Sequence, residues 1–156
     1  MLKRLALAAT LALAALPASA DDRTVVTAFY QQVLSAPAAP DLADRTSRIL
    51  APGWQSIGDF VGPAKTREQF TAQMAGIGKV VPNLTWQMVD VLQQGNRYVV
   101  IGRGTGTPVA AFFGVPPSGK SFDILTIDVH TVEGGQITRS YHVEDWMSAL
   151  RQLRAQ

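Results

Sequence analysis

Two histidines and a cluster of carboxylates carry most of the chemistry this sequence offers, and they fall close together near its end. Asp128 and His130 stand two residues apart in SFDILTIDVHTV, a stretch of strand character, so both side chains project from one face. A Gly134-Gly135 turn follows, and then Tyr141, His142, Glu144, Asp145 and Trp146. A hairpin closing at that turn lays 128–132 beside 137–141 and gathers both imidazoles, the carboxylates and several aromatics at one end. A carboxylate in an apolar, aromatic-lined cavity has its pKa raised, because desolvation penalises the charged form. Such a group exchanges protons near neutral pH, with an adjacent imidazole as partner or orienter.

The same residues also admit plainer roles. Asp145 stands just before the last expected helix, where a carboxylate can serve as an N-cap. Asp128 and His130 could be a buried pair tying strands together, and Glu144 reads as a solvated charge. Trp54, Trp86, Phe112, Phe113 and Trp146 could be ordinary core or the wall of a pocket. His130, His142 and a carboxylate could reach a metal, but they have no recognised ligand spacing, and no metal site is expected.

The 156 residues suit one domain with a substantial core. With no cysteine, a disulfide scaffold, a thiolate metal site and a cysteine nucleophile are excluded. The formal charge of +2 would by itself suggest acidic partners. Two of the 14 basic residues, Lys3 and Arg4, precede an apolar run from Leu5 to Leu16 and an Ala18-Ser19-Ala20 site. That order reads as a secretory signal over 1–20, with the run too short to span a bilayer. The remaining residues, 21–156, balance 12 basic against 12 acidic side chains, so nucleic acid is not an expected partner. The expected location is periplasmic or secreted, with no membrane attachment after cleavage.

Gly114–Ser121, GVPPSGKS, satisfies the phosphate-loop pattern letter by letter. Pro116 and Pro117 remove two of the backbone amides such a loop needs, and a strand follows where a helix is required. The glycines of GRGTG, Gly102 to Gly106, lack the helix of a dinucleotide loop and read as strand glycines that allow a bend.

The elements that must position the cluster follow from periodicity. Val25, Val26, Phe29, Tyr30, Val33 and Leu34 form a helical stripe over 24–34. SAPAAP breaks it, Asp41 can cap a second helix through about Leu50, and Pro52-Gly53 is expected to end that helix. Thr66-Arg67-Glu68-Gln69 has capping-box spacing and starts a third helix with Phe70, Met74 and Ile77 inward. After Pro82 the period becomes strand-like: about 84–92, Arg97 to about Thr105, Ser121–Val132 and Ile137–Val143, then a helix from about Trp146 to Leu153. Helices followed by consecutive antiparallel strands indicate an α+β domain, with helices packed on one curved sheet.

Thr126–Leu153 resembles the tail of SnoaL-like polyketide cyclases, also described as ester cyclases, of the nuclear transport factor 2-like superfamily. The residues that carry the likeness are Ile127, Asp128, Val129, His130, Gly135-Gln136-Ile137, Tyr141, Asp145, Leu150, Gln152 and Leu153. Upstream, GVPPSGK, Gly106-Thr107 and Pro82-Asn83-Leu84 with Trp86 resemble further family turns. Departures are Pro108 where a histidine is common, Ser118 for a threonine and Tyr141 for a tryptophan. The resemblance implies a cone of helices closed by a bent antiparallel sheet around a ligand cavity. It also implies aldol-type ring closure without cofactor or metal, with Asp145 as the acid/base.

The expectation is therefore an exported protein doing cofactor-free acid/base chemistry on a small apolar, carbonyl-containing ligand. Asp145 would be the acid/base, His142 and His130 would tune or relay protons, and Asp128 would orient His130. Trp54, Trp86, Phe112, Tyr141 and Trp146 would form the pocket, and the chain would be a homodimer. The alternative is a non-catalytic ligand-binding or assembly module on the same fold, with Asp145 as a helix cap.

Overall fold

The computed structural model describes residues 20–154. The expected signal segment, 1–20, lies outside the described residues except for Ala20, where α1 begins. The chain runs α1 (Ala20–Ala28), a π-helical segment (Phe29–Leu34), α2 (Leu42–Ile49), β1 (Leu50–Ile57), β2 (Lys65–Thr66), α3 (Arg67–Val80), β3 (Thr85–Gln94), β4 (Arg97–Gly106), β5 (Phe122–Glu133), β6 (Gln136–Glu144) and α4 (Trp146–Arg154). Among the described residues, four α-helices and the π segment accompany a six-stranded sheet of order β2-β1-β6-β5-β4-β3. The class is α+β, as the succession of periods indicated.

The sheet is antiparallel except where β1 runs parallel to β6. That pairing is tied at its start by the Gln136 amide, whose Nε2 donates to the carbonyls of Ser47 and Arg48 at 3.1 Å each. The end of α2 is thereby held over the start of β6, and β1 leaves along it. Pro52-Gly53 does not terminate structure as expected. β1 passes through both residues, and its register against β6 slips between Leu50 and Gln55. A proline has no amide to give a ladder, and an irregular stretch accommodates it.

The helical stripe of 24–34 forms, but its second half is π-helical. Phe29, Tyr30, Val33 and Leu34 are all buried there, a wider inward arc than an α-helical stripe would give. Short π segments are frequent at functional sites, and this one aims the Tyr30 hydroxyl at the sheet. Asp41 does not cap α2 with its side chain; it pairs with Arg45 at 2.8 Å instead. Thr66 does cap α3, with the reciprocal Gln69 contact of a capping box. In β3 a bulge between Met88 and Asp90 reverses the alternation expected from Leu84 onward, so Leu92 is exposed and Val91 turns inward. The β5–β6 turn is made by Gly134 and Gly135 at φ of 59° and 76°, the left-handed pair a two-residue hairpin favours.

The core lies between α1, the π segment, α2 and α3 on one side and the inner face of the sheet on the other. Gly104 and Gly106 leave room for it: a Cβ on Gly104 would lie 3.3 Å from the Trp86 ring, and one on Gly106 would overlap Val81. The GVPPSGKS segment is a loop around the Phe112–Val115 bridge and leads into β5. Strand therefore follows it and not the helix of a phosphate loop.

Candidate functional site

A cavity of ≈150 Å³ opens between the helices and the inner face of the sheet. Its apolar wall comes from the π segment (Phe29, Leu34), α3 (Phe70, Met74, Ile77), Trp54, Leu84, Trp86, Phe112, Phe113 and Trp146. Its polar wall is a strip of the sheet carrying Ser56, Asp128, Ser140, His142 and Glu144, with Lys65 at the edge. The strip follows from strand alternation. Ser140, His142 and Glu144 are every second residue of β6, and Asp128 stands opposite His142 in register.

Asp128 is 6% exposed and accepts a hydrogen bond from the Tyr30 hydroxyl at 2.6 Å. Burial pushes its carboxyl up to about 7, reinforced by the charge of Glu144 and opposed by the Tyr30 hydrogen bond and by His142. The Tyr30 hydroxyl is itself raised, by burial first and then by Asp128. Tyr30 also lies 3.1 Å from His130 Nε2. The other imidazole nitrogen, Nδ1, is 2.8 Å from Ser140 Oγ, which accepts from Trp54 Nε1 at 3.0 Å. His130 is completely buried, with Phe29 edge-on at 5.4 Å between ring centroids. Burial depresses its pKa to about 3, with His142 adding to the effect, so its ring is neutral.

His142 behaves oppositely. Its Nδ1 is 3.0 Å from Glu144 Oε1, and that hydrogen bond raises its pKa against the opposing effect of burial, with Asp128 helping. The Nε2 end of the ring lies over Gly58, where a Cβ would come within 3.1 Å. The two histidines of one hairpin are therefore tuned apart, one held neutral and the other disposed to carry a proton.

Asp145 is placed elsewhere. Its carboxylate accepts from the Ser148 amide at 2.9 Å and from the Ser148 hydroxyl, capping α4, and it is exposed. Those hydrogen bonds hold its carboxyl below the usual aspartate range. Asp145 does not line the cavity. The acid/base role implied for it has no geometric support, because its neighbour Glu144 takes the inward position on the strand and Asp145 begins the helix. Tyr141 is likewise absent from the cavity wall; one position from His142, it projects from the opposite face. Trp54, Trp86, Phe112 and Trp146 all line the cavity.

Tyr30, Ser140 and Lys65 were not singled out from sequence, and Glu144 was read as solvated. A signal for Tyr30 existed: a hydroxyl on an otherwise apolar helical stripe needs a buried partner. Ser140 could have been found by counting back two from His142. Among the described residues, no group of three or more His, Cys, Asp or Glu is placed to hold a metal.

The chain is thus an α+β domain with a helix-covered sheet, an aromatic-lined cavity and a buried acid on the inner sheet face. The SnoaL-like polyketide cyclase profile matches residues 24–153, and the chain belongs to that family. Membership supports a cyclase-like function. No curated protein matches the sequence. A candidate SnoaL-like polyketide cyclase from Jannaschia sp. CCS1 is 25% identical, with 90% of this chain and 96% of that one covered, at a TM-score of 0.76. TsrD from Streptomyces laurentii (20% identical, 88% and 97% covered, TM-score 0.72) has the same fold. So does IdmH, a candidate polyketide cyclase from Streptomyces antibioticus (23%, 85% and 97%, TM-score 0.71).

Proposed function

We propose that the protein is an exported, cofactor-free cyclase-like enzyme acting on a small apolar ligand that carries two carbonyl groups. Asp128 is the general base and His142 the general acid. The observation that carries this reading is the pairing in register of a buried Asp128 with a His142 hydrogen-bonded to Glu144, on one polar strip of an otherwise aromatic cavity.

In an aldol closure, Asp128 takes a proton from the carbon beside one carbonyl. The resulting enolate carbon bonds to the second carbonyl carbon, and the oxygen of that carbonyl takes a proton from His142. The proton on Asp128 then returns to His142, restoring both groups. Glu144 holds the His142 ring through Nδ1 and favours its charged form, the form that gives a proton to the ligand oxygen. The aromatic wall supplies apolar contact and keeps water from the enolate. No nucleophile is needed for this closure.

The test begins with native mass spectrometry of the purified protein to identify a co-purifying ligand, followed by turnover of that compound and its dicarbonyl precursors. Turnover abolished by Asp128→Asn and retained by Asp145→Asn supports the reading. Unchanged turnover in Asp128→Asn rejects it.

The same reading includes a homodimer. On the outer face of the sheet Leu125, Ile127 and Val143 are exposed side by side, with Val143 opposite Ile127 in register, an apolar patch that a second copy would cover. Light scattering at micromolar concentration should give twice the chain mass, and Ile127→Lys should halve it.

A further inference from the structure

Behind the polar strip, the hydrogen bonds of Trp54, Ser140, His130, Tyr30 and Asp128 form one unbranched chain, and both of its reactive ends return to the cavity. Asp128 and Ser140 line the cavity, whereas His130 and Tyr30 lie behind its wall. The distances along it are 3.0 Å, 2.8 Å, 3.1 Å and 2.6 Å. Donor arithmetic limits the chain to two arrangements. An indole nitrogen only donates, so Trp54 always gives its proton to Ser140 Oγ.

With Asp128 ionised, the single Tyr30 proton goes to Asp128 Oδ2. His130 Nε2 must then carry hydrogen and donate to Tyr30, and Ser140 must donate to the bare Nδ1. With Asp128 protonated on Oδ2, the three bonds beyond Ser140 reverse. Asp128 donates to Tyr30, Tyr30 donates to Nε2, Nδ1–H donates to Ser140, and the Ser140 hydroxyl keeps its proton and is free to donate it to a group in the cavity. The two arrangements differ by one proton in total and by the tautomer of a neutral imidazole.

We propose that Ser140, His130 and Tyr30 form a proton relay joining two points of the cavity wall, with His130 switching tautomer rather than charging. A proton delivered to Ser140 Oγ from a ligand in the cavity displaces the Ser140 proton onto His130 Nδ1. His130 passes its Nε2 proton to Tyr30, and Tyr30 passes its own to Asp128. Four O–H or N–H bonds form and four break, counting the one at the ligand, and no co-reactant is consumed. Run backward, the relay empties Asp128 into the cavity at Ser140. Tyr30 and His130 are positioning residues that act through Asp128 and Ser140, and they set which wall of the cavity receives the proton.

The surroundings suit a tautomer switch and oppose a charged ring. His130 faces Tyr98 from β4, Ser140 from β6, and Phe29 and Tyr30 from the π segment. None of these is a carboxylate that would hold an imidazolium, and Asp128 is reached only through Tyr30. Asp128 itself faces Val100 from β4, His142 and Glu144 from β6, and Tyr30. Burial therefore leaves the relay neutral and leaves Asp128 as the group that titrates.

Use of the relay in turnover rests on the acid/base reading above. The switch itself is read without any substrate, so the two can fail separately. The chain has only two histidines, and long-range proton–nitrogen NMR of the full-length, nitrogen-15-labelled protein resolves both, with His142→Gln assigning the pair. Between pH 5 and 9, His130 should stay neutral while its protonated nitrogen changes from Nδ1 to Nε2. The midpoint should coincide with the Asp128 carboxyl titration followed by carbon-13. Asp128→Asn should abolish the change and leave one tautomer at every pH. His130 becoming an imidazolium in this range, or keeping one tautomer while Asp128 titrates, overturns the relay. So does a switch at the same pH in Asp128→Asn. Tyr30→Phe should uncouple the two titrations, and where that variant does not fold, the Asp128→Asn result decides alone.

Discussion

Asp128 and Asp145 belong to the same β5–β6–α4 segment, and the structure uses them in opposite ways. Asp128 is 6% exposed and hydrogen-bonded to one buried hydroxyl, and burial lifts its carboxyl to about 7. Asp145 is in solvent and hydrogen-bonded to a helix N-terminus, which lowers its carboxyl below the ordinary range. Desolvation favours a proton that can be exchanged at neutral pH, whereas capping favours a permanent anion. A general base working near neutrality belongs to the first environment. The contrast repeats at the two histidines, where His130 is held neutral by burial and His142 is favoured as a cation by Glu144.

The sharpest way to break this comparison is to exchange each aspartate for asparagine. Asp128→Asn should lower turnover on the order of 10²–10⁴-fold, the usual contribution of a positioned base. Asp145→Asn should leave kcat/KM within about twofold, because asparagine caps nearly as well as aspartate. Equal losses at both positions would refute the division of roles.

Next in size is Tyr30→Phe, which leaves Asp128 Oδ2 and His130 Nε2 without their shared partner. Loss of that buried hydroxyl should cost about 1–3 kcal/mol in a urea titration. The Tyr30 hydrogen bond lowers the Asp128 pKa, so its removal should move the acid limb of the pH–rate profile to higher pH. An unmoved limb would mean that another group is the base.

The pH dependence of the native protein sharpens the same point. Asp128 must be ionised to act, so kcat/KM should rise with pH through about 7. It should fall again as His142 loses its proton, above the ordinary histidine value. Stability follows from the same shifts. The folded pKa of Asp128 lies above its unfolded value, so its favourable contribution is complete below about 3.8 and is lost as pH rises through about 7. His130 has the opposite sign: its contribution is complete above about 6.5 and is lost as pH falls toward about 3. The two windows overlap and oppose, so Asp128→Asn, which removes only the first contribution, should make the urea midpoint rise more steeply with pH between about 4 and 7 than it does in the native protein.

The smallest expected effects are structural. Asp145→Ala should lower the melting temperature by roughly 2–6 °C with turnover unchanged, the scale of a lost helix cap in a domain of this size. Trp54→Phe removes the donor to Ser140 and keeps most of the apolar contact with Phe70. It should cost about 0.5–1.5 kcal/mol by the same titration.

Much of the site was legible as local pattern. The spacing of Asp128 and His130, the glycine turn at 134–135 and the return through His142 placed both imidazoles on one hairpin, because strand alternation and turn chemistry are short-range rules. Trp86, Phe112 and Trp146 were read as core or pocket wall, a choice that short-range rules do not make. The two-residue step from Glu144 to Trp146 was not resolved, since a strand that ends one residue earlier or later exchanges the inward carboxylate for the cap. The bulge at Met88–Asp90 likewise inverted an alternation that read cleanly along β3.

By itself the sequence determined the α+β class, the hairpin that carries the chemistry and the Thr66 capping box, all set by periodicities and side-chain contacts within a few residues. Only the tertiary structure decided which acid is buried. It took the parallel β1–β6 pairing to bring Trp54 against Ser140, and the π-helical segment to carry the Tyr30 hydroxyl to Asp128 and His130 across about a hundred positions of chain. Desolvation depends on everything packed around a group, and no stretch of sequence holds that sum.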